Sequence, residues 1–222
     1  MNKPLSAILL ALAISLGAQA EEIYSEFPDT INPNERYIFY SHGLIVEGDD
    51  PRPESPEFGI YQFPEITQAI FESGVFNLIA HHRPANTDMR AYVDQLVAWV
   101  EELIEVGVES SKITLIGFSR GAQLTVLASS RLKGFGINTV IMGLCFDGDF
   151  VVEPPLSLDG HVLSIYETSD VVTSCSRLLD RSVNAKSTKE MAISTGEKHG
   201  AFFKPRSEWI LPLKEWLIDI GY

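Results

Sequence analysis

One segment restricts what this chain can become more than any other: Ile113-Thr-Leu-Ile-Gly117-Phe-Ser119-Arg-Gly121-Ala-Gln-Leu-Thr-Val-Leu-Ala128. A β-rich apolar run meets a helix-forming stretch, and Gly-x-Ser-x-Gly sits at the joint. A serine on a sharp strand-to-helix turn projects its Oγ outward, and side chains two residues either side would collide. Gly117 and Gly121 remove that collision. The helix that starts beside Ser119 leaves backbone N–H groups without intrahelical acceptors, and such groups can hold an oxyanion. The segment therefore reads as a nucleophile elbow.

The first twenty residues read as a separate, removable leader. Lys3 supplies a positive start, Leu5 to Leu16 is almost wholly apolar, and Ala18-Gln-Ala20 is an A-x-A cleavage pattern ahead of Glu21-Glu22. Export, to a periplasm or the outside, is the expectation. The apolar run is shorter than the roughly 20 residues of a membrane span, and no cysteine follows it, so no stable membrane anchor is expected. Cleavage after Ala20 of the 222-residue chain would leave one domain, residues 21–222. A net charge of −13 argues against sequence-independent binding to nucleic acid or anionic membrane surfaces.

After the leader, strand and helix patterns alternate. Tyr37 to Tyr40 is a buried-strand run ending at Ser41-His42-Gly43, and the acid- and proline-rich stretch from Glu47 to Phe58 reads as an exposed loop. Pro64 to Ser73 is a short helix, and Val75 to Ala80 a strand stopped by His81-His82-Arg83-Pro84. Between Asp88 and Val106, apolar Tyr92, Leu96, Val97, Val100, Leu103 and Ile104 recur at helical spacing, with Gly107 as a stop. Beyond the elbow helix, which runs to about Lys133, strands are expected at Thr139–Leu144, His161–Tyr166 and Met191–Ser194. A last helix runs from about Ser207 to Ile220, with Trp209 and Trp216 as core contacts. Such alternation implies an α/β fold with a mostly parallel sheet flanked by helices on both faces.

In open parallel sheets the site lies beyond the carboxyl ends of the strands. That rule selects His42 to Leu44, His81, His82, Ser119, Asp147, Asp170 and His199, and rejects His161, which opens its strand. A serine nucleophile needs a base, and the base needs a carboxylate to fix its tautomer and stabilise its charge. His199, in Gly-Glu-Lys-His199-Gly, suits the base; Asp170, closing Ser164-Ile-Tyr-Glu-Thr-Ser-Asp170, suits the acid.

Serine, aspartate and histidine in that order, spread over these strand ends, resemble the α/β-hydrolase superfamily, and the likeness spans nearly all of the mature chain. The resemblance implies Ser119, Asp170 and His199 as catalytic residues. Backbone N–H groups of Leu44, after His42-Gly43, and of Arg120 would form the oxyanion hole. The family's first strands are barely visible between Ile23 and Phe27, so a sheet reduced at its N-terminal strands is expected. Too few residues separate the Leu144 and His161 strands for a large cap. The site should be open, bounded by the Glu47–Phe63 and His82–Asp88 loops.

Rival readings compete at several positions. Asp147 is the alternative acid, one strand earlier, in a Phe-Asp-Gly-Asp setting that also suits a turn; Asp170 is favoured over it. Glu167 is weaker because it barely clears its strand. Adjacent His81 and His82 point to opposite faces of an extended chain and lack a spaced third ligand, so no metal and no cofactor are expected; one should pack and one line the site. Cys145 and Cys175, the sole cysteines, should pair in an oxidising compartment and tether the acid loop. The expected activity is that of an exported serine hydrolase acting on a small-molecule or lipid-like carboxylic ester through an acyl-enzyme. A peptidase or acyltransferase on the same triad, or a non-catalytic binding module, are the alternatives.

Overall fold

The computed structural model describes residues 21–145 and 155–222. In chain order the elements are β1 (Ile23–Tyr24), β2 (Tyr37–Ser41), β3 (Glu54–Ser55), β4 (Gly59–Ile60), α1 (Phe63–Phe71), β5 (Asn77–Ile79) and α2 (Met89–Glu105). They continue with β6 (Ile113–Phe118), α3 (Arg120–Arg131), β7 (Asn138–Met142), β8 (Gly160–Glu167), α4 (Ser176–Arg181), β9 (Ala185–Ile193) and α5 (Ser207–Asp219). Seven strands form one sheet in the order β1-β5-β2-β6-β7-β8-β9, and every described pairing in it is parallel. β3 and β4 form a separate small antiparallel hairpin.

Alternation along each strand divides the core. Ile38, Tyr40, Ile116 and Phe118 point to one face and pack with α1 and α5 through Ile66, Ile70, Trp209, Leu213 and Trp216. Tyr37, Phe39, Ile113 and Leu115 point to the other and pack with α2 and α3 through Leu96, Val100, Leu103 and Leu124. Both faces being covered, β2 and β6 are buried at every residue, which is why they read as nearly continuous apolar runs, broken only by the buried hydroxyls of Ser41 and Thr114. Trp209 and Trp216 are core residues, as expected.

Local signals explain the helix ends. Asp88 caps α2 by accepting from the Ala91 N–H at 2.8 Å. At the other end Gly107 takes φ +105°, and its N–H and that of Val108 close back on the carbonyls of Ile104 and Leu103. This is the double closure of a helix that stops in a left-handed residue.

The β3–β4 hairpin stands where a loop was expected, and two further elements differ from expectation. β9 begins at Ala185, six residues before the expected strand, because an edge strand needs only one backbone partner and tolerates exposed Lys186 and Lys189. The short helix α4 buries Leu178 alone and carries no periodic signal. β1 is a two-residue edge strand paired to β5, in keeping with the reduced start of the sheet.

Candidate active site

The elbow is built by close backbone packing. A Cβ on Gly117 would lie 2.4 Å from the Gly121 carbonyl oxygen, and one on Gly121 would lie 1.8 Å from that of Ser41. Any side chain at either position would push α3 away from β6 and β2. Between them Ser119 is held at φ 54°, ψ −118°, a conformation that L-residues rarely adopt, that costs on the order of 1–3 kcal/mol and that persists only because its surroundings over-determine it. The Ser119 N–H donates to the Met142 carbonyl at 3.0 Å, and its own carbonyl receives the Gln123 N–H.

The parallel sheet brings three distant strand ends together. His199 Nε2 lies 2.8 Å from Ser119 Oγ, and His199 Nδ1 lies 2.6 Å from Asp170 Oδ2. A carboxylate can only accept, so Nδ1 carries the proton, and Nε2 is left to accept from the serine hydroxyl. The Asp170 side chain is nearly fully buried, with Oδ1 accepting from the Val171 N–H at 2.7 Å. The imidazole packs against Phe118 and Phe58, ring centroids 4.8 and 6.2 Å away. Asp147, the rival acid, lies outside the described residues.

Arg120 opens α3, so its backbone N–H belongs to the first turn, which has no intrahelical acceptors. Leu44 opens a short 3-10 turn, Leu44–Val46, and lines the same cavity as Ser119 and Arg120. Behind this turn lies a feature that the sequence reading passed over. Arg83 is fully buried: its Nε donates to Glu47 Oε1 at 3.2 Å, its Nη2 to the His42 carbonyl, and its backbone N–H to His42 Nε2 at 2.9 Å. His42 Nδ1–H donates to the Gly43 carbonyl at 2.9 Å. Burial, reinforced by the Arg83 cation, holds the His42 pKa well below the ordinary histidine value, so the ring is neutral. The chain before Leu44 is thus braced by a buried ion pair.

The acid loop is braced too. Cys145 and Cys175 form a disulfide, and the Thr173 N–H donates to the Cys145 carbonyl. Glu190 on β9 accepts from Ser174 Oγ and, at 2.7 Å, from the Cys175 N–H.

Beside Ser119 lies a cavity of about 520 Å³. Leu44, Phe58, Leu144, Val171 and Val172 make its walls largely apolar; Arg120, Gln123 and a Glu57–Lys198 ion pair supply the polar rim. Two expected boundaries are corrected. Neither His81 nor His82 reaches this cavity. His81 stacks on Tyr92 and meets Trp99 edge to face, and His82 Nε2–H donates to the Val46 carbonyl while its ring faces Phe63. The His82–Asp88 loop is set back with them. The Glu47–Phe58 stretch is not uniformly exposed either, since Glu47 is drawn inward by Arg83, and only the β3–β4 end reaches the site. Among the described residues, no three His, Cys, Asp or Glu side chains converge as a metal ion would require.

No family model and no curated protein matches this sequence. Solved structures match its fold. An arylesterase superimposes with a TM-score of 0.61 at 13% identity, over 85% of this chain and 77% of that one. A monoacylglycerol lipase from Paleococcus ferrophilus gives 0.58 at 15% identity, over 83% and 95%. Est1E from Butyrivibrio proteoclasticus, solved with ferulic acid bound, gives 0.56 at 12% identity, over 87% and 92%. The chain has the α/β-hydrolase fold, and these structural neighbours include an arylesterase and a monoacylglycerol lipase.

Proposed function

We propose that the protein is a serine hydrolase that cleaves a carboxylic ester. The observation that carries this reading is the continuous hydrogen-bonded chain Ser119–His199–Asp170, opening onto an apolar cavity. In the proposed cycle His199 Nε2 takes the hydroxyl proton as Ser119 Oγ attacks the ester carbonyl. Asp170 steadies the imidazolium, and the N–H groups of Leu44 and Arg120 receive the oxyanion. His199 then returns the proton to the departing alcohol. Water, deprotonated by His199, attacks the acyl-enzyme and releases the acid, which restores Ser119. Esters are favoured over amides because their leaving group needs less activation, and the apolar walls suit an acyl chain.

Export belongs to the same reading. It is supported by the leader-like residues 1–20, which lie outside the described residues, and by the Cys145–Cys175 disulfide. No helix among the described residues is long and apolar enough to cross a membrane. The mature chain, 21–222, is proposed to act as one catalytic domain.

A fluorophosphonate probe tests the chemistry. Labelling should fall on Ser119 by mass spectrometry and vanish in Ser119→Ala, with ester turnover lost by several orders of magnitude. Labelling at another residue, or full turnover by Ser119→Ala, would refute the assignment.

A further inference from the structure

Glu167, read from sequence as a poor candidate acid, occupies the last rung of the β8–β9 ladder opposite Ile193. Beyond that rung the two strands part. One chain runs through Thr168 and Ser169 to Asp170, and the other through Thr195 and Gly196 to His199. The buried Glu167 carboxylate needs donors of its own, and the backbone N–H groups of Ser169, Thr195 and Gly196 have no ladder partner there.

Glu167 satisfies them. Its side chain is fully buried. One oxygen, Oε2, accepts from the Thr195 N–H at 2.8 Å and from Thr195 Oγ1 at 2.9 Å. The other, Oε1, accepts from the Ser169 N–H at 3.2 Å, Ser169 Oγ at 3.0 Å and the Gly196 N–H at 3.4 Å. Ser169 Oγ in turn accepts from the N–H of Lys198, the residue before His199, at 3.1 Å. The Glu167 carbonyl also receives the Asp170 N–H at 3.1 Å. No cation pairs with this carboxylate among the described residues; its charge is met by neutral donors from both loops.

We propose that Glu167 is a positioning residue, its ionised carboxylate clamping the acid loop to the histidine loop so that Asp170 meets His199. The proposal rests on the catalytic reading given above. A mere space-filler at this place would not need two oxygens shared among donors from two loops. The disulfide and Glu190 hold the acid loop downstream of Asp170, whereas Glu167, with the Ser169–Lys198 and Thr168–Ser194 contacts beside it, bridges the approach to both Asp170 and His199. Burial raises a carboxyl pKa, yet the Thr195 and Ser169 donors outweigh it and hold Glu167 below its ordinary value, consistent with a permanently ionised clamp.

Glu167→Gln is the informative substitution. The amide keeps one acceptor and turns the other position into a donor, which must then face the Thr195 group or the Ser169 and Gly196 N–H groups. Slippage of the loops by a fraction of an ångström to 1 Å should lower kcat by on the order of 10²-fold with a much smaller change in KM, because Leu44, Phe58, Arg120, Gln123 and Leu144 line the cavity from other parts of the chain. The second readout is the low-field proton NMR resonance of His199 Nδ1–H bonded to Asp170. It should broaden or move upfield in Glu167→Gln. Ser169→Ala removes one strut while leaving the carboxylate, so it should give the same changes in smaller measure at near wild-type Tm, and it decides the matter if Glu167→Gln does not fold. Folded variants with wild-type kcat and an unmoved resonance would overturn the proposal, as would a loss confined to KM. The NMR signal keeps the two readings separable. If wild-type protein shows no labelling at Ser119, the catalytic reading fails, while the resonance still reports whether Glu167 sets the His199–Asp170 contact.

Discussion

Gly121 touches the backbone of Ser41 so closely that a Cβ on it would stand 1.8 Å from the Ser41 carbonyl oxygen and 2.6 Å from that of His42. The contact locks α3 to β2, and with it Ser119 to the chain that leads to Leu44. Gly121→Ala must drive the two backbones apart, since no flexible side-chain end can yield. It should destabilise the protein by about 3 kcal/mol or more, at or beyond the upper range of core overpacking. Urea unfolding measures this, and an unchanged midpoint would contradict the contact.

The Arg83–Glu47 pair leads to a second expectation. Both side chains are buried, at 0% and 5% exposure, so removing the cation strands a carboxylate out of water. Arg83→Met should cost about 3–5 kcal/mol, and adding Glu47→Gln should recover part of that loss because no uncompensated charge remains. A purely additive double mutant would show that the two residues are not coupled.

His42 makes stability depend on pH. Its folded-state pKa lies well below the unfolded value of about 6.5, so as pH falls the unfolded chain binds the proton first. The contribution of the neutral buried ring is full above about pH 6.5 and is lost progressively below it, at up to roughly 1.4 kcal/mol per pH unit. His81 and His161 have pKa values lowered mainly by burial and act in the same direction. Unfolding free energies measured at pH 8, 6 and 5 should therefore decline. His42→Gln, which cannot titrate, should flatten that decline. Constant stability over this range would contradict a buried neutral His42.

The disulfide closes a loop of sequence separation 30. In the chain-entropy picture this is worth about 3–4 kcal/mol, and the Cys145→Ser/Cys175→Ser protein should lose stability of that order. Thiol titration of the unfolded, unreduced protein should find no reactive thiol, and two after reductant. Because Cys175 lies five residues beyond Asp170, reduction should depress turnover before it unfolds the chain. Unchanged activity in reductant would confine the bond to a stability role.

What could be read in advance follows from locality. The elbow strand, its glycines and the α2 periodicity are encoded by residues adjacent in the chain, so type and place were legible within a few residues. Ser119, Asp170 and His199 were legible as strand-end residues because parallel strands deliver their carboxyl ends to one edge of a sheet. Local pattern failed at β9, whose polar residues look like loop until a neighbouring strand supplies the hydrogen bonds, and at α4, too short to show a period.

The sequence by itself determined the alternation of strands and helices, the sharp turn at Ser119 and the order of the three candidate site residues, because each is written in nearest-neighbour sterics and apolar spacing. Only the tertiary structure decided which polar groups would be buried, and against what. Arg83 and Glu47, 36 residues apart, become an internal brace, and Glu167 becomes the junction of two loops that meet 28 residues apart. Burial of a charge is a property of the surfaces that close over it, and those surfaces come from parts of the chain that no local pattern connects.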